Sequence, residues 1–70
     1  MANSTANILR ANIKKYREKL GLTQEKLSEC AGISSDYLSE IERGKKLPSM
    51  KRFFRIAEAM NIEAYKFFKE

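Results

Sequence analysis

Five polar side chains near the middle of the chain are well suited to hydrogen-bond a ligand. They are Ser34, Ser35, Asp36, Ser39 and Glu40. Hydroxyls donate and accept hydrogen bonds and carboxylates accept them, so such a set can bind a partner through hydrogen bonds. The chain has no His and one Cys, which leaves no His/Cys zinc cluster and no His-based catalytic triad. With no evident nucleophile–base pair or paired catalytic carboxylates, we expect a binding protein without enzymatic activity, metal or cofactor.

The charge of the chain is basic and unevenly distributed. Residues 1–20 carry a net charge of +4 and residues 49–70 carry +2, whereas residues 21–48 sum to −1, which gives the total of +5. A small basic domain indicates an anionic partner, for which nucleic acid is the default candidate. We expect phosphate attraction from the basic flanks and base recognition from the centre. The compatible alternative is that the Lys residues solvate the outer faces of amphipathic helices.

The elements that must position these side chains are helices, because apolar residues recur at three- to five-residue steps and no segment shows strand alternation. Residues able to cap a first turn open four helices, at Ser4 or Thr5, Thr23, Ser34 or Ser35, and Ser49. Residues able to adopt the left-handed conformation close them, at Gly21, Gly32, Gly44 and Asn61. Ala64, Phe67 and Phe68 fit a short fifth helix. We therefore expect a compact all-α domain of five helices.

Length and composition place all of these helices in one domain. A chain of 70 residues lies near the lower limit for a core without disulfides, and one Cys forms no intramolecular disulfide. We expect a single domain over residues 1–70, with residues 1–4 frayed, and a small, semi-buried Cys30 without redox function. No apolar run approaches the ~18 residues of a membrane span and no signal-peptide pattern opens the chain, so we expect a cytoplasmic protein.

The stretch from Gln24 to Arg43 has the pattern of two short helices crossing at a tight turn. Such a unit needs a small residue at its fifth position, a residue tolerant of positive φ at its ninth, and apolar residues at positions four, eight, ten, fifteen and eighteen. All seven positions are satisfied, by Leu27, Ser28, Ala31, Gly32, Ile33, Leu38 and Ile41. The spacing predicts a helix-turn-helix over residues 24–43.

Several short motifs in and around this unit resemble one family. They are Gly21-Leu22-Thr23-Gln24-Glu25-Lys26-Leu27-Ser28, Ala31-Gly32-Ile33-Ser34, Tyr37-Leu38-Ser39-Glu40-Ile41-Glu42-Arg43-Gly44-Lys45, and Pro48. The chain is similar over residues 8–68 to the Xre/Cro-like helix-turn-helix family of phage repressors, Cro proteins and restriction-modification controllers. Ser28 in place of Ala and Asn61 in place of Gly are small departures. The resemblance implies a compact five-helix, lambda-repressor-like domain whose third helix enters the DNA major groove.

The resemblance also implies roles for the polar residues. Ser35, Asp36 and Glu40 match positions that reach base edges, where a carboxylate can accept from cytosine N4. Helix N-terminal charge complementarity is the alternative for Asp36. Gln24 matches a residue that binds a phosphate and braces a side chain of the third helix; the alternative is a solvated polar residue. We expect Tyr37 to pack its ring on the second helix and offer its hydroxyl to a phosphate.

Basic residues that follow the third helix match a loop that runs along the phosphate backbone. They are Arg43, Lys45 and Lys46, with Lys14, Lys15, Lys51 and Arg52 as weaker candidates. A solvated charged loop is the alternative. By the same resemblance, Arg17 and Glu42 should form a buried ion pair between the first and third helices. That pair would be structural and would not contact DNA.

Three aromatic residues close the sequence, and one short helix does not bury all of them. Phe67 fits the core, whereas Tyr65 and Phe68 are candidates for a dimer interface. We expect a sequence-specific regulator of transcription that binds double-stranded DNA as a homodimer on a palindromic operator, with no membrane contact and no small-molecule ligand. The alternative is an interaction module with the same fold, such as an antitoxin or helper subunit. Such modules usually add a tail beyond the domain, and this sequence stops at Glu70.

Overall fold

A computed structural model describes residues 4–70 of the chain, and the expected fraying of residues 1–3 lies outside the described residues. Four α-helices and a C-terminal 3-10 helix follow one another: α1 (Thr5–Lys19), α2 (Gln24–Ala31), α3 (Ser35–Glu42), α4 (Met50–Met60) and the 3-10 helix (Ala64–Phe68). Ser4, one of the two predicted caps of the first helix, accepts a hydrogen bond from the Asn7 amide. No helix among residues 4–70 is both long and apolar enough to cross a membrane.

Each α-helix begins where a Ser or Thr hydroxyl accepts a hydrogen bond from the amide three residues further on. The four caps are Ser4 (3.1 Å), Thr23 (3.0 Å), Ser34 (3.0 Å) and Ser49 (3.3 Å). These bonds satisfy first-turn amides that have no partner inside the helix. All four N-termini lie at predicted caps, and the structure selects Ser4 and Ser34 where the sequence left two candidates.

The turn between α2 and α3 depends on Gly32, which has φ 72° and ends α2 in the left-handed conformation. The Ile33 amide then donates to the Ser28 carbonyl at 3.0 Å, which closes the turn. Ser28 is buried, as the small residue at a helix crossing should be. Asn61 takes the same conformation after α4 with φ 56°, because its short polar side chain tolerates that region better than most.

The core lies where all five elements meet. Its fully buried large side chains are Phe67, Ile13, Leu27, Leu38, Ile41 and Ile56. Phe67 packs edge-on against Tyr16 and Phe53, with ring centroids 5.1 and 5.4 Å apart. The side of α3 that carries Leu38 and Ile41 is thereby anchored, which leaves its other side to the surface.

The expected fifth α-helix is not confirmed, because residues 64–68 form a 3-10 helix. Its carbonyls are taken by side chains of α1. The Asn12 amide donates to the carbonyls of Phe67 at 2.7 Å and Lys69 at 2.8 Å, and the Tyr16 hydroxyl donates to that of Lys66 at 3.2 Å. These bonds hold the C-terminal end of the short 3-10 helix against α1, and Glu63 makes no side-chain cap at its start.

Candidate nucleic-acid interface

The outward side of α3 carries the polar residues that the sequence singles out. Ser34 and Asp36 are exposed, and Ser35, Ser39 and Glu40 are partly exposed. The Ser34 hydroxyl accepts from the Tyr37 amide, so this residue caps α3. A depression between α3 and the start of α2 is lined by Arg17, Thr23, Gln24, Glu25, Ser35, Asp36 and Ser39. The structure thus brings Gln24 together with three of the five predicted base-reading residues.

The two acidic residues on this side of α3 have different surroundings. Asp36 lies in the first turn, where its charge complements the positive end of the helix dipole, so the alternative reading of this residue also fits the structure. The Glu40 carboxylate lies one turn further on and pairs with Lys46, with 3.1 Å between Oε1 and Nζ. A predicted base reader and a predicted phosphate binder are therefore partners of each other.

A buried ion pair holds the end of α3. Arg17 of α1 donates to Glu42 through Nε at 2.8 Å and through Nη2 at 3.0 Å, and its Nη1 donates to the Leu22 carbonyl at 2.7 Å. The side chains of Arg17 and Glu42 are only 11% and 3% exposed. The hydrogen bond that Arg17 donates to Glu42 raises the pKa of Arg17 above its ordinary value, against the opposing effect of burial, and the charges of Glu42 and Glu18 raise it further. The guanidinium therefore stays charged and fixes α1 to α3.

Gln24 braces the same carboxylate from the first turn of α2. Its Nε2 amide donates to Oε1 of Glu42 at 2.9 Å. The carboxylate of Glu42 thus receives hydrogen bonds from two helices, which sets the position of α3 relative to both. The amide of Gln24 has a second N–H, and the residue is partly exposed beside Ser35 and Ser39. One side chain is thereby placed to brace α3 and to meet a ligand.

The ring of Tyr37 packs against the core, and its hydroxyl contacts the segment that follows α3. Its predicted packing on α2 stays a prediction. Its hydroxyl oxygen accepts from the Ser49 amide at 3.2 Å. Lys46 Nζ and the Arg52 guanidinium carbon each lie 5.3 Å from the centroid of its ring. Cations at this distance are attracted by the aromatic quadrupole. The ring therefore lies beside two cations at the edge of α3, and its hydroxyl contacts the start of α4.

The loop after α3 is basic and exposed, at Arg43, Lys45 and Lys46. It faces Arg10 of α1, which sequence reasoning missed as a ligand-binding candidate. A Cβ placed on Gly44 would lie 3.2 Å from both Cδ and Nε of Arg10, and Gly44 has φ 80°. Arg10, Lys45 and Lys46 share one depression. No local signal reveals this arrangement, because Arg10 and the loop are more than 30 positions apart in the sequence.

Two of the terminal aromatic side chains are exposed, as is one on α4. Tyr65 is 57%, Phe68 42% and Phe54 46% exposed. The rings of Phe54 and Phe68 both lie against Phe53, with centroids 5.9 and 5.5 Å away. The three exposed residues Tyr65, Phe68 and Phe54 are called the aromatic surface below.

The structure corrects the sequence prediction for Cys30. Cys30 is exposed, so the expectation of a semi-buried thiol is wrong. It lies in the last turn of α2, outside the core formed by Leu27 and Ala31. Within residues 4–70, no three His, Cys, Asp or Glu side chains are grouped to hold a metal ion.

Known proteins match both the sequence and the fold. The HTH_3 family, described as helix-turn-helix, matches residues 13–67. The uncharacterized HTH-type transcriptional regulator YazB of Bacillus subtilis (strain 168) is 41% identical over 59 residues, which cover 84% of this chain and 86% of YazB. The ImmF control region 10 kDa protein of Bacillus phage phi105 is 42% identical over 55 residues, which cover 79% of this chain and 61% of the phage protein.

Solved structures give the same picture. The restriction-modification controller protein C.AhdI from Aeromonas hydrophila superposes with a TM-score of 0.86 at 27% identity, over 90% of this chain and 96% of the controller. The clp gene regulator ClgR from Corynebacterium glutamicum superposes with a TM-score of 0.86 at 28% identity, over 93% of this chain and 69% of ClgR. With its α2–turn–α3 unit and these relatives, the chain belongs to the HTH_3 helix-turn-helix family of DNA-binding transcriptional regulators.

Proposed function

We propose that this protein is a cytoplasmic regulator of transcription that binds a palindromic double-stranded DNA operator as a homodimer. The observation that carries the proposal is the position of α3. Its apolar side, with Leu38 and Ile41, is fully buried, and its end is held by Glu42, while its polar side stays open beside a basic loop. A rigid helix with an exposed polar side is what insertion into a major groove requires.

Base recognition in this proposal belongs to the outward side of α3. Its candidates are Ser34, Ser35, Asp36, Ser39 and Glu40. A serine hydroxyl serves as donor or acceptor and discriminates bases poorly, whereas an Asp carboxylate selects a donor such as cytosine N4. Asp36 therefore carries more of the expected specificity than Ser35. The Asp36 carboxylate also repels phosphates, so binding is weaker when α3 is placed with Asp36 against the DNA backbone.

Phosphate contacts belong to residues at the edges of this surface. The candidates are Gln24, Tyr37, Arg43, Lys45 and Lys46, to which the structure adds Arg10. These contacts hold the domain on the duplex and carry no sequence information. The grouping of Arg10 with Lys45 and Lys46 in one depression supports a common role in phosphate binding.

Dimerisation belongs to the aromatic surface, with Tyr65 and Phe68 as its main residues. Exposed aromatic side chains on a domain of this size are best explained by a second subunit that covers them. Two copies related by a two-fold axis would present two α3 helices about 34 Å apart, one helical turn of DNA. A palindromic operator follows from that symmetry.

Selection of bound duplexes from a random pool, followed by titration of the recovered duplex, tests this function. We expect a palindromic consensus and a binding constant that falls steeply with salt, because each neutralised phosphate contributes a slope of about −0.9 in log–log form. Recovery of no consensus, together with a bound protein on size exclusion of the native material, would favour the interaction-module alternative.

A further inference from the structure

Glu40 and Lys46 are tied together on the proposed DNA-binding surface. The ion pair joins Glu40 Oε1 to Lys46 Nζ at 3.1 Å, and the two side chains are 39% and 46% exposed. Considered separately, Glu40 would read a base and Lys46 would bind a phosphate. In the structure, the Glu40 carboxylate and the Lys46 ammonium neutralise each other.

Lys46 is held by a second group on the same helix. Its Nζ lies 5.3 Å from the ring centroid of Tyr37, and Tyr37 and Glu40 are three residues apart on α3. Residues at this spacing are neighbours on one side of a helix. Two α3 side chains therefore draw the ammonium of the loop back toward α3.

We propose that Glu40 is a positioning residue that holds Lys46 against α3 and lowers the affinity of the protein for DNA of random sequence. The inference rests on the proposed function, since it concerns DNA binding by the same surface. On a random duplex the protein is held mainly by phosphate contacts. Lys46 adds little to that attraction while the Glu40 carboxylate neutralises it.

The complex with operator DNA differs from the complex with DNA of random sequence in one respect. When α3 is seated in the groove of the operator, a base amine becomes available to the Glu40 carboxylate, and Lys46 is then released to bind a phosphate. An exposed ion pair is weak, so exchanging it for two such contacts costs little. The pair thereby widens the affinity difference between operator and random DNA, which is the quantity that specificity requires.

The substitution Glu40→Gln tests this role, because it removes the charge and keeps the size of the side chain. With a random-sequence duplex as probe, we expect roughly three- to tenfold tighter binding at low salt and a salt slope steeper by about 0.9, the effect of one more phosphate contact. Affinity for the selected operator should rise less or fall. The ratio of operator to random affinity therefore drops.

Two further variants test whether the effect of Glu40→Gln depends on the Glu40–Lys46 ion pair. Glu29→Gln changes the net charge equally, but Glu29 pairs with Lys26 at 3.5 Å on α2, in a depression shared with Arg55 and Glu58. This control should leave the salt slope unchanged. Lys46→Met removes the ammonium and keeps most of the stem, so Glu40→Gln should have no effect on random-duplex binding in the Lys46→Met background.

The possible outcomes separate this inference from the proposed function. A steeper slope that requires Lys46 supports the role of Glu40. An unchanged slope with an altered base preference at one operator position would overturn it and leave Glu40 as a base reader, with the proposed function intact. Absence of salt-dependent DNA binding by the unchanged protein would overturn both.

Discussion

Arg17 and Glu42 form a two-point ion pair that joins α1 to the last residue of α3, with distances of 2.8 and 3.0 Å. Gln24 of α2 donates to the same carboxylate at 2.9 Å. Three helices are thus tied to one buried group directly behind the polar side of α3. The proposed base-reading side chains therefore project from a helix whose position this buried group fixes.

Removing the charge of Glu42 should destabilise the domain strongly. Glu42→Gln leaves the buried Arg17 guanidinium with only the exposed Glu18 carboxylate, 4.0 Å away, as a counter-charge. We expect a loss of about 3 kcal/mol in the free energy of unfolding, measured with urea. Glu18→Gln is the matched control, because Glu18 lies 4.0 Å from Arg17 and its side chain is 59% exposed. The control should cost less than about 1 kcal/mol. Equal losses in the two variants would contradict the importance of the buried pair.

The stabilisation by this pair should not weaken as pH rises from 7 to 9. The pKa of Arg17 is raised in the folded protein, chiefly by its hydrogen bond with Glu42. A group of this kind stabilises the fold fully below its unfolded pKa and loses that effect only as pH rises through the folded value. The difference in unfolding free energy between the unchanged protein and Glu42→Gln should therefore be constant across this range. A steady decline would show that another group dominates.

Gly44→Ala should impair DNA binding beyond its effect on stability. Gly44 has φ 80°, and a Cβ there would contact Arg10 at 3.2 Å. Gly21→Ala is the matched control, because Gly21 has φ 73° with no neighbour within 4 Å of the added carbon. Both variants should lose about 1–2 kcal/mol of stability from left-handed strain.

Only Gly44→Ala moves Arg10 and the loop, so only this variant should weaken DNA binding when both are measured well below their melting temperatures. The readout is fluorescence anisotropy with the selected duplex. Equal affinities for the two variants would mean that Arg10 and the loop do not act together on phosphate.

The aromatic surface should control the oligomeric state. Replacing Tyr65 and Phe68 together by Ser removes exposed apolar area while Phe67 remains buried, so we expect a folded protein of half the mass by light scattering. Leu20→Ser is the control, since Leu20 is 50% exposed at the end of α1 and outside this surface. A dimer that persists in the double variant would place the interface elsewhere.

Much of this arrangement is predictable because it depends on neighbours in the sequence. Ser34 caps α3, Gly32 turns the chain, and Leu38 and Ile41 fall on one side of α3 for reasons that a few residues settle among themselves. The buried position of Ser28 follows in the same way from its place in the twenty-residue pattern. Helix ends, the helix-turn-helix and the side of α3 that faces outward are therefore accessible from the sequence.

The features that were not predicted come from contacts between distant residues. Asn12 looks like a surface residue of an amphipathic helix, yet it is buried because carbonyls 55 and 57 positions away fold back onto it. The approach of Arg10 to Gly44 is of the same kind. The pairing of Glu40 with Lys46 spans only six positions, but it depends on the path of a loop whose conformation Pro48 alone does not determine. Local sequence patterns therefore do not predict these contacts.

The central claim is that α3 reads DNA sequence while the basic loop only holds the duplex. We compare the consensus selected from a random pool by the unchanged protein, by the double variant Ser35→Ala with Asp36→Ala, and by Lys45→Ala. The double variant should select a different or relaxed consensus, because each lost base contact removes about 1–3 kcal/mol of discrimination.

Lys45→Ala should select the original consensus, bind all duplexes more weakly, and show a salt slope smaller by about 0.9. An unchanged consensus from a folded double variant would contradict the claim, because it would mean that α3 does not read the DNA.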